Sequence, residues 1–238
     1  MGKSLIQQKR GKGSPTYRAP SFRYIGSAKY PKYSEKQLVG TIKDILHSQG
    51  HNSPLLDVVF DDGENRYIQA PEGVRVGDTI KIGINAEIKP GNILPLKSIP
   101  EGTEIFNIEG FPGDGGKFVH SSGTFARVLS KFADNVVLIM PSSKRMKFNP
   151  ECRASIGIIA GGGRTEKPFL KAGKKFFKMK AKNKYWPIVS GLSMNAVNHP
   201  LGGRSSHSKG HQGTVSRNAP PGRKVGLIAP RRTGRRKM

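Results

Sequence analysis

From Lys167 to Met238 the chain carries eighteen Lys or Arg residues and not one Asp or Glu. Cations with no carboxylate among them repel one another in a compact state, so this stretch is not built like an ordinary globular domain. Its counter-charge has to come from elsewhere, and a polyphosphate backbone supplies it. The rest of the charge is also uneven. Residues 1–36 hold nine basic residues against Glu35, and residues 37–150 hold twelve against thirteen acidic ones. Residues 151–238 hold twenty against Glu151 and Glu166. The net charge of +25 therefore sits at the two ends, with a near-neutral body between two basic arms.

That body must be made of short elements. Thirty Gly and seventeen Pro argue against long helices. Cys152 is the one cysteine, which excludes an intramolecular disulfide and a CxxC zinc ribbon and suits a reducing compartment. Aliphatic runs such as Val136 to Met140 are too short to span a bilayer. The N-terminal MGKSLIQQKRGKG lacks a secretory apolar stretch, and Ile6 stands where a myristoylation signal has Ser or Thr. A soluble, cytoplasmic protein with no membrane partner is expected.

Residues 1–36 interleave basic residues with Tyr17, Phe22, Tyr24, Tyr30 and Tyr33. Aromatic faces between cations suit stacking on unpaired bases together with phosphate contact. From Leu38 the texture changes to short β-branched runs: LVGTIKDILH, PLLDVVF, NRYIQA and DTIKIG. Asp61-Asp62-Gly63 signals a hairpin between two of them. Strands this short favour a small barrel of the five-stranded OB type over residues 37–86, with a helix at 38–47 as the rival for that segment. A Pro/Gly cluster at Lys89–Asn92 and Ile99–Gly102 joins it to a second barrel over residues 87–170. There TEIFNIE, KFVHSS, FARVLSKF, NVVLIM, KRMKF and ASIGIIAG read as five or six strands of an SH3-like barrel. Residues 171–238 follow as an extended arm, with one short basic helix around FLKAGKKFFKMKAK. The fold class is all-β, an OB-fold barrel followed by an SH3-like barrel, with extended basic N- and C-terminal arms. Beyond Pro187 the chain holds too little apolar surface to order itself alone.

Motifs for chemistry are weak. GFPGDGGK at 110–117 lacks the Walker spacing, and Gly161-Gly162-Gly163-Arg164 lacks the GxGxxG pattern, so both read as turns. His199, His207 and His211 cluster without any Cys, Asp or Glu, which is poor metal chemistry. There is no HExxH, and Gly191-Leu192-Ser193-Met194-Asn195 ends in Asn where a nucleophile elbow has Gly. Cys152 reads as a partly buried structural thiol. Asp57, Asp61, Asp62 and Glu64 read as hairpin and surface residues. No catalytic residue, metal, cofactor or small-molecule substrate is expected.

Met194-Asn195-Ala196-Val197-Asn198-His199-Pro200-Leu201-Gly202-Gly203 resembles the MNxVxHPxGG signature of the L2 family of large-subunit ribosomal proteins. Ala160 to Arg164 leading to Lys167-Pro168 and Leu170 to Gly173 is similar to that family's barrel exit. Ala219 to Gly226, with Arg231-Arg232-Thr233-Gly234-Arg235, resembles the C-terminus of its archaeal and eukaryotic branch. The resemblance runs from about Gly11 to the end. It implies a translational ribonucleoprotein component: a primary rRNA binder, supporting subunit association, whose C-terminal extension reaches toward the peptidyl transferase region. Its implied partners are large-subunit rRNA, other ribosomal proteins and the small subunit across the intersubunit face. Residues implied or read as RNA-binding are Arg10, Lys12, Arg18, Arg23, Arg164, Lys171, Lys174 and Lys175. With them go Met194, Asn195, His199, Pro200, Gly202, Gly203, Arg204 and Arg217, then Arg223, Lys224, Arg231, Arg232, Arg235 and Arg236. Asn198 stands where relatives usually carry an acid, Leu201 where many have a second His, and Arg204 where many have a third Gly. These departures weigh against a proton-transfer role built on an acid–histidine pair; the resemblance implies that peptide-bond formation belongs to the RNA, so His199 is assigned to binding and local structure. The contrasting readings are an RNA-modifying enzyme with a basic capture arm and a non-specific nucleic-acid packaging protein.

Overall fold

Short β-branched runs broken by Gly, Pro and Asp-Gly turns fold as strands, as their side chains favour. The structure, a computed structural model, describes residues 2–32, 37–203 and 213–234. Two units divide the chain: Ser21–Phe169, and Met1–Pro20 together with Leu170–Met238.

In the first unit the strands are β1 (Leu38–Leu46), β2 (Leu55–Phe60), β3 (Asn65–Gln69), β4 (Thr79–Ile82) and β5 (Ile93–Pro95). Then come β6 (Glu104–Phe106), β7 (Ala126–Lys131), β8 (Val136–Ile139), β9 (Arg145–Phe148) and β10 (Arg153–Ile156). They form one sheet in the order β3-β2-β1-β4-β5-β10-β6-β7-β8-β9. Residues 38–46 are strand rather than helix, with Gly40 and Ile42 turned inward two residues apart. Asp61-Asp62-Gly63 makes the expected hairpin, the Gly63 N–H donating to the Phe60 carbonyl at 2.9 Å.

One strand serves two cores. Side chains alternate along a strand, so neighbours on β5 face opposite ways. Ile93 packs with Ile42, Leu56, Val58, Ile68 and Ile80, while Leu94 packs with Leu96, Ile105, Val128, Leu138 and Cys152. The first cluster belongs to an OB-type barrel and the second to an SH3-like one. Each Ile or Leu fully withdrawn from water contributes about 1.5–3 kcal/mol. Asn92 fixes the parallel meeting of β4 and β5: it accepts from the Lys81 N–H at 2.9 Å and donates to the Glu87 carbonyl at 2.8 Å.

Three expectations change. KFVHSS is not a strand; Phe118 makes one isolated bridge to Ile108, and Val119 takes φ +56°, which breaks side-chain alternation. Cys152 is fully rather than partly buried, and burial, with Glu109 nearby, pushes its thiol pKa up to about 11. Tyr30 is not available to stack on bases, because it is buried in the first core.

Tyr30 belongs to a buried polar node. The Arg153 guanidinium donates to Glu109 Oε1 through Nε at 3.1 Å and Nη2 at 2.7 Å, and to the Pro31 carbonyl through Nη1 at 3.0 Å. Glu109 also accepts the backbone N–H groups of Arg153 at 2.9 Å and Gly115 at 3.0 Å. The Tyr30 ring lies 5.4 Å from the guanidinium, and its hydroxyl donates to the Asn107 carbonyl at 2.7 Å. Burial raises that hydroxyl's pKa well above its ordinary value, so it remains a neutral donor. Both charged side chains are essentially inaccessible, at 5% and 0% exposure.

In the second unit α1 (Ile6–Gly11) and α2 (Ala172–Ala181) are short, and β11 (Thr214–Val215) pairs in parallel with β12 (Leu227–Ile228). Helix α2 lies where a basic helix was expected. Among the described residues no helix is long and apolar enough to cross a membrane.

Removing one member of a buried ion pair strands the other's charge, at a cost of about 3–5 kcal/mol. Glu109→Gln and Arg153→Met should each lower unfolding free energy by about that amount in urea titrations. The double variant should recover part of the loss; strictly additive losses would show the pair is not coupled.

Candidate nucleic-acid interface

The second unit is defined by what it lacks. Residues 1–20 carry five Lys or Arg and residues 170–238 carry seventeen, and neither stretch has an Asp or Glu. By contrast the ion pairs of the β unit, such as Arg127–Glu104 at 2.7 Å and Lys97–Glu151 at 2.6 Å, draw on nearby carboxylates. The cationic unit is also thinly packed. Leu5 and Val225 are its buried hydrophobic side chains among the described residues.

Backbone and amide contacts hold it together instead. The Lys3 N–H donates to the Val197 carbonyl at 2.8 Å, and Gln7 Nε2 donates to the Lys224 carbonyl at 2.9 Å. Asn183 Nδ2 donates to the carbonyls of Arg18 at 2.7 Å and Pro15 at 3.1 Å. The two ends of the sequence, read as separate arms, are therefore one body; contacts spanning more than 160 residues leave no local signal.

The 194–203 run is a tight loop. The Gly202 N–H donates to the His199 carbonyl at 2.9 Å, and the Gly203 N–H to the Met194 carbonyl at 2.9 Å. A Cβ on Gly202 would lie 2.4 Å from the Met194 carbonyl oxygen, and one on Gly191 would lie 2.3 Å from His199 Cε1. Gly202 thus has an internal reason to be glycine, beyond close approach to a ligand. Gly191 is a constraint on His199 that the motif did not reveal. His199 Nδ1 accepts the Leu201 N–H at 3.1 Å.

Arg10, Lys12, Arg18, Lys171, Lys174, Asn195, Pro200, Arg217, Arg223, Arg231 and Arg232 are exposed in this unit. Lys175, Met194, His199, Gly203 and Lys224 are half-buried, and Gly202 is buried. Lys175 Nζ sits 5.8 Å from the Trp186 ring centroid, a cation–π contact. Arg23 and Arg164 are exposed on the β unit, Arg23 lying 5.3 Å from the Phe22 ring and Arg164 Nε donating to Ser122 Oγ at 3.0 Å. Phe22 is 82% exposed, whereas Tyr24 packs against Gly50. Arg204, Arg235 and Arg236, with Tyr33, His207 and His211, lie outside the described residues. Among the described residues no group of three His, Cys, Asp or Glu side chains is placed to hold a metal ion.

Two small β cores in one unit, and a second unit whose stretches hold cations without Asp or Glu, are the build of an all-β protein that binds a polyanion. The family described as Ribosomal Proteins L2, C-terminal domain, matches residues 89–222. The large ribosomal subunit protein uL2 of Archaeoglobus fulgidus is 55% identical over 237 residues, spanning all of both chains. That of Methanothermobacter thermautotrophicus is 52% identical over 241 residues, again the whole of both. The Haloquadratum walsbyi protein of the same name is 52% identical over 236 residues, 99% of this chain and 97% of its own. The chain belongs to the L2 family of ribosomal proteins.

Crowding a packed loop costs about 1–3 kcal/mol. Gly202→Ala should therefore open the 194–203 loop and, with the protein saturated by a polyanion, speed amide exchange at Gly203 by roughly tenfold or more. Protection unchanged from the wild type would show that the loop tolerates the extra carbon.

Proposed function

We propose that this chain is a structural constituent of the large ribosomal subunit, binding large-subunit rRNA chiefly through residues 1–20 and 170–238. The observation that carries this is the composition of the cationic unit: residues 1–20 and 170–238 hold twenty-two Lys and Arg and not one Asp or Glu. Phosphates supply the missing charge and release counterions on binding. Membership of the L2 family and the names of its relatives support rRNA as the source of those phosphates.

In this reading the two barrels, drawn from the sequence as residues 37–86 and 87–170 and sharing β5, set position by shape. Arg10, Lys12, Arg18, Lys171, Lys174, Arg217, Arg223, Arg231 and Arg232 neutralise phosphates, with Arg23 and Arg164 adding contacts from the β unit. The 194–203 loop presents Asn195, His199 and Pro200 as a shaped surface, and His199 binds without transferring protons. The protein works in the cytoplasm within the ribosome, beside other ribosomal proteins. It supports subunit association across the intersubunit face and the architecture near the peptidyl transferase region. Catalysis belongs to the RNA, and the protein is not an enzyme.

Footprinting and affinity measurements on protein-free large-subunit rRNA test this. Protection should fall in one compact region, and log affinity should drop with log salt by about 0.7–0.9 per phosphate neutralised. Arg231→Ala with Arg232→Ala should reduce that slope by about 1–2 without moving the footprint. A salt-insensitive complex would contradict the proposal. Turnover of rRNA, lost on removing carboxylates from residues 37–150, would mark an RNA-modifying enzyme instead. Equal affinity for arbitrary DNA would mark a packaging protein.

A further inference from the structure

Charge alone does not account for one part of the cationic unit. Between α1 and residues 185–199 lies an open cleft of about 520 Å³, inside the range of roughly 300–1,000 Å³ typical of ligand sites. From the C-terminal stretch, Tyr185, Ile188, Val189 and Met194 give it an apolar wall. Ile188 is 79% exposed, a large aliphatic side chain left in water in a unit that buries very little. Exposed apolar surface gathered in a concavity marks a binding surface.

The rim has different chemistry. Lys9 and Arg10, in the last turn of α1, bring two cations to the cleft. Asn198 and His199 add polar edges at the same opening. An occupant must therefore offer a flat apolar face, a hydrogen-bonding edge and a negative charge. A nucleotide offers all three: a base to stack on an aromatic ring, edges for amide and imidazole groups, and a phosphate for the cations. An acidic peptide would satisfy Lys9 and Arg10 but leave Tyr185 and Ile188 without a flat partner.

We propose that this cleft holds a single unstacked nucleotide of the bound RNA, its base against Tyr185 and Ile188 and its phosphate against Lys9 and Arg10. The inference rests on the reading of the cationic unit as RNA-binding, and sharpens it from charge neutralisation to capture of one base. Residues from both ends of the chain line the cleft, and the Lys3–Val197 and Gln7–Lys224 hydrogen bonds join those ends.

The test uses the full chain, protein-free large-subunit rRNA and nucleotide-resolution chemical probing at two salt concentrations. Tyr185→Ala and Ile188→Ser should each abolish protection of the same single base and weaken binding by roughly fivefold to a hundredfold. The salt slope should stay as in the wild type, and Tyr185→Phe should retain both protection and affinity. Ile188 is exposed enough that its serine variant leaves the fold intact, which separates binding from misfolding. Unchanged protection with affinity within twofold in both variants, or a loss spread over the whole footprint, would overturn the cleft. Variants that bind rRNA normally but lose a poly-glutamate complex would assign the cleft to an acidic protein, and also overturn it. A wild-type protein that fails to bind the rRNA at all would overturn the broader reading with it.

Discussion

The β unit depends on the pairing of Arg153 with Glu109. Burying two charges is costly, and the cost is met here because each has several partners. Arg153 spans from the loop at Glu109 to the Pro31 carbonyl, while Glu109 gathers the N–H groups of Arg153 and Gly115. Three stretches far apart in sequence, around residues 30, 109 and 153, are thereby fixed to one another. Tyr30 joins the first core to this node, and Ser155, its hydroxyl partner at 2.7 Å, lies on the strand paired with β5. The pairing therefore sets how the chain enters the β unit as well as how β10 sits beside β5 and β6.

The cationic unit presents the opposite case. Its Lys and Arg side chains have no carboxylates from their own stretches, and its buried apolar side chains are few. Hydrogen bonds between its two ends give it a shape, yet self-repulsion works against that shape in the absence of counter-charge. A polyanion would stabilise the compact form by mass action, so binding and ordering are two views of one equilibrium. The same logic explains the exposed Ile188 and Val189 beside Lys9 and Arg10: surface that is unfavourable alone becomes favourable under a base and its phosphate.

Much of the β unit was legible in the sequence because its signals are local. The Asp-Gly hairpin and the β-branched runs each act within a few residues, and they marked most of the strands. The basic helix near residue 172 was legible for the same reason. Long-range pairings were not. Nothing near Arg153 announces Glu109, 44 positions earlier. Tyr30 looked like its aromatic neighbours in a basic arm, and only burial separates it from the exposed Phe22. In the candidate site the charge pattern and the 194–203 motif were readable. The union of residues 1–20 with 170–238, and the place of Gly191 against His199, depend on tertiary contact and left no spacing to find.

Amide hydrogen exchange on the full chain, with and without large-subunit rRNA, addresses the central claim most directly. Residues 38–156 should be equally protected in both states, since their stability is internal. Residues 2–20 and 170–203 should exchange readily in the free protein at low salt and become strongly protected with the rRNA. Equal, strong protection of those residues without any polyanion would contradict the account.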